Sequence, residues 1–178
     1  MSKAVLLSIR PEWCKKILSG EKTVELRRTC PAHGTAFKAY IYCTGAETWW
    51  QRFPKTGLQK MEKRIVGTFV CDKIDRLTHI GATSSREPVK LYIETSDLQY
   101  ENADELLQAA CLTEAQAEMY LNGGNGYGWH ISDLKIYDRP RPLSDFKRLR
   151  ATKFGYEPVD IERPPQSWFY VEDAECTS

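Results

Sequence analysis

Three charged side chains within "SGEKTVELRR" have the types and spacing to bind an anionic ligand: Lys22, Glu25 and Arg27. Lys22 is a compact cation suited to phosphate, and Arg27 can contact phosphate bidentately or stack on a base. Glu25 does not favour phosphate, but it can accept a hydrogen bond from a base, position the two cations or move a proton. The alternative is an ion pair that only ties a strand to a helix.

The elements before this stretch place it beside a helix. "AVLLSIR" (residues 4–10) predicts a buried first strand with Ser8 and Arg10 on one face. Pro11 suits a first helical position, apolar residues follow at helical spacing, and Gly20 provides the stop. We therefore predict a short amphipathic helix between two strands.

The alternation in "KTVELRR" predicts a strand on which Thr23, Glu25 and Arg27 share one face. Lys22 stands where the helix turns into this strand. Lys22, Glu25 and Arg27 are therefore predicted to line the mouth of a cleft between the first helix and a β-barrel, with Ser8, Arg10 and Thr23 as further ligand-binding residues.

Strands enriched in β-branched and aromatic residues are predicted over 37–44, 64–78, 89–93, 127–137 and 167–172, with the second bent at Gly67 or at a bulge. Residues 94–124 differ, because Asn102 and Thr113 each begin a capping-box pattern and two helical segments follow. We interpret 94–124 as a helical hairpin inserted into a single domain, 1–178. The fold class predicted is α+β, a small mixed β-barrel.

Composition narrows the class of protein. At 178 residues, with 42% hydrophobic and 28% charged residues, the chain has the make-up of a globular domain and no apolar run long enough for a membrane helix. The N-terminus lacks the apolar region of a secretory signal, so we expect a cytoplasmic protein without a membrane partner. Its six cysteines are then expected to be reduced thiols, and no metal site or cofactor is predicted.

Charge is distributed unevenly along the chain. Residues 135–153 contain seven Lys/Arg and two Asp/Glu, whereas residues 94–118 contain seven Asp/Glu and no Lys or Arg. Such a chain can present one basic and one acidic face, the distribution expected of a protein that binds a polyanion from one side. Two solvated surfaces without a partner are the alternative.

Tryptophans could supply stacking faces for unpaired bases. Trp49 and Trp50 cannot both point inward on one strand, so one of them is a candidate for a cleft or partner surface, next to Arg52. Trp129 is a further candidate, although burial in a strand is the more common position for such a residue.

The segment "LLSIRPEWCKKILSGEKTVELRR" resembles the opening of an ASCH domain, a branch of the PUA-like superfamily, whose signature is G-x-K-x-x-E-x-R after a short helix. Gly20, Lys22, Glu25 and Arg27 match that signature. The later segments "GYGWHISDLKIYDRPRPLSDF" and "RPPQSWFYVE" are similar to the C-terminal half of bacterial and prophage-type ASCH proteins. The resemblance spans most of the chain, with the acidic hairpin as its variable part.

The resemblance implies a PUA-like barrel whose cleft binds RNA, a nucleotide or a modified base. It also implies an alternative, an enzyme that is a ribonuclease or a modified-nucleoside hydrolase using Lys22 and Glu25. Some ASCH-like amidohydrolases use a lysine, a threonine and a glutamate, but this chain has Glu25 where their threonine falls, and only the adjacent Thr23 is a threonine. A third alternative is a protein partner bound by the acidic hairpin.

Overall fold

The computed structural model describes residues 2–32, 34–80, 90–94 and 100–175. The helices in these ranges are α1 (Pro11–Leu18), α2 (Asp104–Ala109) and α3 (Glu114–Leu121). The strands in the first half are β1 (Lys3–Ile9), β2 (Val24–Arg27), β3 (Phe37–Cys43), β4 (Trp50–Phe53), β5 (Gly57–Lys60), β6 (Arg64–Cys71) and β7 (Ile74–Ile80). Those in the second half are β8 (Lys90–Glu94), β9 (Tyr100–Asn102), β10 (Gly126–His130), β11 (Ser132–Arg141), β12 (Lys147–Thr152), β13 (Gly155–Asp160) and β14 (Trp168–Glu172).

The described strands form three sheets. The largest has seven strands in the order β11-β6-β3-β1-β14-β12-β13, the second has five in the order β2-β10-β7-β8-β9, and β4 and β5 form a hairpin. The strands β1 and β3 run parallel, with Val5 opposite Ala39, and the neighbouring pairs are antiparallel. The predicted α+β class is therefore confirmed.

The predicted closed barrel is not found in the described ranges, because the seven-stranded sheet ends at β11 and β13. Both edge strands contain a proline, Pro140 in β11 and Pro158 in β13. A proline has no backbone N–H to donate to a further strand, so it suits a sheet edge and hinders closure.

The N-terminal elements follow the predicted pattern. In β1 most side chains are buried, and α1 begins at Pro11 and buries Cys14 and Ile17 against the main core. Gly20 adopts φ +79°, which allows the chain to leave the helix and turn toward β2. This turn places Lys22 between the helix and the strand.

Both predicted helices of the acidic segment are present, and they pack with β2, β7 and β8 around a second core. The predicted capping box at Thr113 and Gln116 is confirmed at the start of α3. For α2 the predicted cap is wrong, because Ala103 is the capping residue and the Asn102 side chain accepts the Asp104 N–H at 2.8 Å. Residues 95–99 of the predicted insertion lie outside the described residues.

Several strand predictions need correction. The predicted strand 64–78 divides after Cys71 into β6 and β7, and 127–137 divides at Ile131 into β10 and β11. The hairpins β4–β5 and β12–β13 were not predicted at all. Within the described ranges, helices fall short of the length and apolar content needed to cross a membrane.

Candidate functional site

A cleft of about 930 Å³ lies between α1, β2, α3 and the segment before β14. Its lining includes five of the residues predicted from the sequence: Ser8, Arg10, Lys22, Glu25 and Arg27. The structure therefore brings together residues from the first strand, the turn after α1 and β2.

Lys22 is held in a fixed position at one end of this cleft. Its side chain is almost fully buried, and Nζ donates to the Ala110 carbonyl at 2.6 Å. The same Nζ lies 3.4 Å from Glu25 Oε2 and 5.2 Å from the centre of the Trp13 ring. The ammonium group is thus surrounded by an acceptor, a carboxylate and an aromatic face.

Glu25 and Arg27 occupy alternate positions of β2, as predicted, and both are buried. Arg27 Nη2 lies 2.9 Å from Glu25 Oε1 and donates to the Ser8 carbonyl at 2.8 Å. On the opposite face of β2, Val24 and Leu26 pack into the second core. The alternation of this strand therefore directs the charges into the cleft.

Beneath this ion cluster the protein is apolar. Cys14, from α1, is fully buried in the main core. Burial raises the pKa of the Cys14 thiol well above its usual range, and the neighbouring Cys43 thiol adds to this effect. Water therefore does little to screen the three charges from that side.

Two buried polar atoms of the cleft residues have no hydrogen-bond partner within the part of the chain that the structure describes. They are Arg27 Nε, whose N–H is a donor, and Thr44 Oγ1. A buried donor without a partner is costly, and because Arg27 Nε has almost no exposed surface, a bound molecule would reach this N–H only after neighbouring side chains had moved.

Two exposed cations, Arg10 and Lys63, also line the cleft, and neither forms an ion pair with the residues described. The exposed acid among the lining residues is Glu12. Lys63 was not predicted; its N–H donates to the Cys43 carbonyl at 2.8 Å, so long-range folding brings it to the cleft. These charges favour an anionic ligand.

Four predicted ligand-binding residues do not line the cleft. Thr23 is exposed just before β2, and Trp49 and Trp50 lie at the start of the β4–β5 hairpin. Trp129 is fully buried and packs edge-to-face against Phe37, so no base can stack on it. The structure places Trp129 in the main core and not among the residues that line the cleft.

The aromatic residues that do line the cleft are Trp13, Tyr42 and Tyr120. The position of Trp13 on the first helix follows from the helical spacing of the apolar residues there. Tyr120 lies in α3, and no local pattern in the sequence predicts that it would reach the cleft beside β2. The cleft is closed near β14, where Ser8 Oγ donates to the Pro165 carbonyl at 2.7 Å.

These features define a mixed α+β domain with a charged cleft beside its first helix. Its fold is that of ASCH crystal structures from Zymomonas mobilis. The unmutated ASCH structure is 19% identical, covers 97% of this chain and 90% of its own, and superposes with a TM-score of 0.51. A tyrosine-to-phenylalanine mutant of that protein is 19% identical with a TM-score of 0.50, covering 98% of this chain and 94% of its own. The predicted ASCH fold is thereby confirmed. No protein-family model and no curated protein matches the sequence.

Proposed function

We propose that this chain is an ASCH-family, PUA-like module that binds RNA or a nucleotide in the cleft. The observation that carries the proposal is the buried cluster of Lys22, Glu25 and Arg27, in which the Arg27 Nε–H has no partner among the described residues. An unsatisfied buried donor costs about 1–3 kcal/mol, which a ligand carbonyl or phosphate oxygen would recover once neighbouring side chains move to give it access.

The rest of the cleft supports a ligand that combines negative charge with a flat ring. Arg10 and Lys63 are free to contact phosphate, and Trp13 and Tyr120 offer aromatic surface. A nucleotide unit of RNA has both properties.

Catalysis by Lys22 and Glu25, as in a ribonuclease or a modified-nucleoside hydrolase, has less support. Each Glu25 carboxylate oxygen lies within 3.4 Å of a cation, so the carboxylate already serves in a buried ion cluster with Lys22 and Arg27. Thr23 lies outside the cleft, so it does not replace the threonine that ASCH-like amidohydrolases use.

The test is equilibrium binding of a fluorescein-labelled, mixed-sequence single-stranded RNA over a range of salt concentrations. Arg27→Lys keeps the charge but removes the planar fork of donors, so we expect weaker binding. Lys63→Ala removes an exposed phosphate contact and should reduce the salt slope by about 0.7. Lys153→Ala, which removes an exposed cation outside the cleft, is the matched control and should bind as the wild type does.

Equal binding by all four proteins, or no binding by the wild type, would refute the proposal. The bound RNA is also run on a denaturing gel. If the wild type cleaves the RNA and Glu25→Gln does not, the protein is a ribonuclease and not a binding module without catalytic activity.

A further inference from the structure

The β4–β5 hairpin exposes an aromatic and basic face outside the cleft. Trp50 lies opposite Lys60 and Arg52 lies opposite Leu58, so these four side chains point to the same side. Trp50 is 53% exposed and Leu58 is 55% exposed. We call these four residues the hairpin face.

Both charged residues of the hairpin face, Arg52 and Lys60, are basic. Residues 50–60, "WQRFPKTGLQK", contain three Lys/Arg and no Asp or Glu. Arg52 and Lys55 form no ion pair with any described residue, and Lys60 Nζ lies 3.4 Å from the buried Glu62 carboxylate. Arg52, which lies on the same face as the exposed Trp50 indole, is therefore free to contact an anion.

A second hairpin also projects a large aromatic residue. In β12–β13 Phe154 is 88% exposed, and Lys153 Nζ lies 4.9 Å from the centre of its ring, while Arg150 pairs with Glu157 and Lys147 pairs with Asp160. Phe154 therefore provides a control for an exposed aromatic residue on a different hairpin.

The chain segments on either side of the β4–β5 hairpin contribute residues to the cleft wall. The chain enters the hairpin after Thr44 and leaves it toward Lys63, and both residues line the cleft. The Met61 N–H donates to the Trp49 carbonyl at 2.9 Å, which closes the hairpin at this end. A chain-like ligand that leaves the cleft past Lys63 thus meets the hairpin next.

We propose that the hairpin face binds single-stranded RNA that extends out of the cleft. One base stacks on the Trp50 indole, and Arg52 contacts the neighbouring phosphate. Stacking on an exposed indole requires an unpaired base, so duplex RNA does not fit. The choice of RNA as ligand rests on the proposed function, whereas the site on the hairpin rests on the exposed indole, the unpaired Arg52 and the short chain segments that join the hairpin to cleft residues.

The test compares a labelled single-stranded trinucleotide, which fits within the cleft, with a labelled single-stranded dodecamer. Stacking of a base on an aromatic residue corresponds to a loss of about five-fold or more in affinity on substitution by alanine. We therefore expect Trp50→Ala to weaken dodecamer binding by at least that factor and to leave trinucleotide binding unchanged. Trp50→Phe should retain most of the affinity. Phe154→Ala is the matched control and should have no effect.

The outcomes separate this inference from the proposed function. If Trp50→Ala binds the dodecamer as tightly as the wild type, or if a duplex of the same length binds equally well, the hairpin inference is wrong while the cleft proposal stands. If the dodecamer requires Trp50 but is indifferent to Arg27→Lys, the hairpin face binds RNA by itself, the cleft proposal fails, and the part of the inference that connects the two sites is wrong. Absence of binding to either RNA overturns both.

Discussion

Replacement of Glu25 by glutamine tests whether the charges of the cleft form one buried unit. The glutamine has nearly the same shape but removes the carboxylate that lies 3.4 Å from Lys22 Nζ and 2.9 Å from Arg27 Nη2. Both cations are at least nine-tenths buried, so the variant leaves two uncompensated charges away from water. We expect the free energy of unfolding to fall.

The expected magnitude follows from the partners that remain. Removal of one member of a buried ion pair costs about 3–5 kcal/mol. Here Lys22 still donates to the Ala110 carbonyl and Arg27 to the Ser8 carbonyl, which places the loss near the lower end of that range. For a domain of this size each kcal/mol lowers Tm by about 2–4 °C, so a decrease of roughly 6–12 °C is expected.

The assay is urea denaturation followed by circular dichroism, with thermal unfolding as a second measurement. The matched control is Glu157→Gln, which removes the carboxylate from an exposed ion pair with Arg150. In that pair the Arg150 side chain is 65% exposed and the Glu157 side chain is 45% exposed. Exposed pairs contribute little, so this variant should resemble the wild type. If Glu25→Gln and Glu157→Gln lost equally little stability, the cleft charges would be screened by water and the reasoning about a buried unit would be refuted.

Two further predictions concern stability. A Cβ on Gly67 would lie 2.3 Å from the Lys135 carbonyl oxygen, so Gly67→Ala should lower the free energy of unfolding by about 1–3 kcal/mol. Urea denaturation measures this loss, and an unchanged midpoint would show that β6 and β11 are not so closely packed. Hydrogen bonding from Tyr137 and Lys38 lowers the pKa of Glu175, so its stabilising effect is complete above its unfolded pKa of about 4.3 and is lost as pH falls through the folded value. Glu175→Gln should therefore reduce the loss of stability between pH 6 and pH 3, and an unchanged pH dependence would contradict this assignment.

The local part of the site could be predicted from the sequence, because its geometry depends on short-range periodicity. Alternation along β2 determines that Glu25 and Arg27 share a face, and a proline and a glycine delimit the preceding helix. These signals act over a few residues, so no knowledge of the tertiary structure is needed to interpret them.

The remaining walls of the cleft could not be predicted, because they come from distant parts of the chain. Lys63 and Tyr120 reach the cleft only through strand pairing and helix packing. The same limitation explains Trp129, since a tryptophan in an aromatic strand has the same local pattern whether it is buried or lines a cleft. The β4–β5 hairpin was missed because its strands, Trp50–Phe53 and Gly57–Lys60, are each four residues long and contain only two hydrophobic residues and one, respectively.

The acidic helical segment is also part of the site, which changes how a protein partner should be sought. The Ala109 and Ala110 carbonyls accept hydrogen bonds from the Thr23 N–H and from Lys22 Nζ, and the Tyr120 carbonyl accepts from Arg28. Deletion of the segment would therefore release Lys22 and expose the second core, so that lost RNA binding and lost partner binding would occur together. Substitution of exposed acids on the outer face of the helices separates the two functions, because it leaves these backbone acceptors in place.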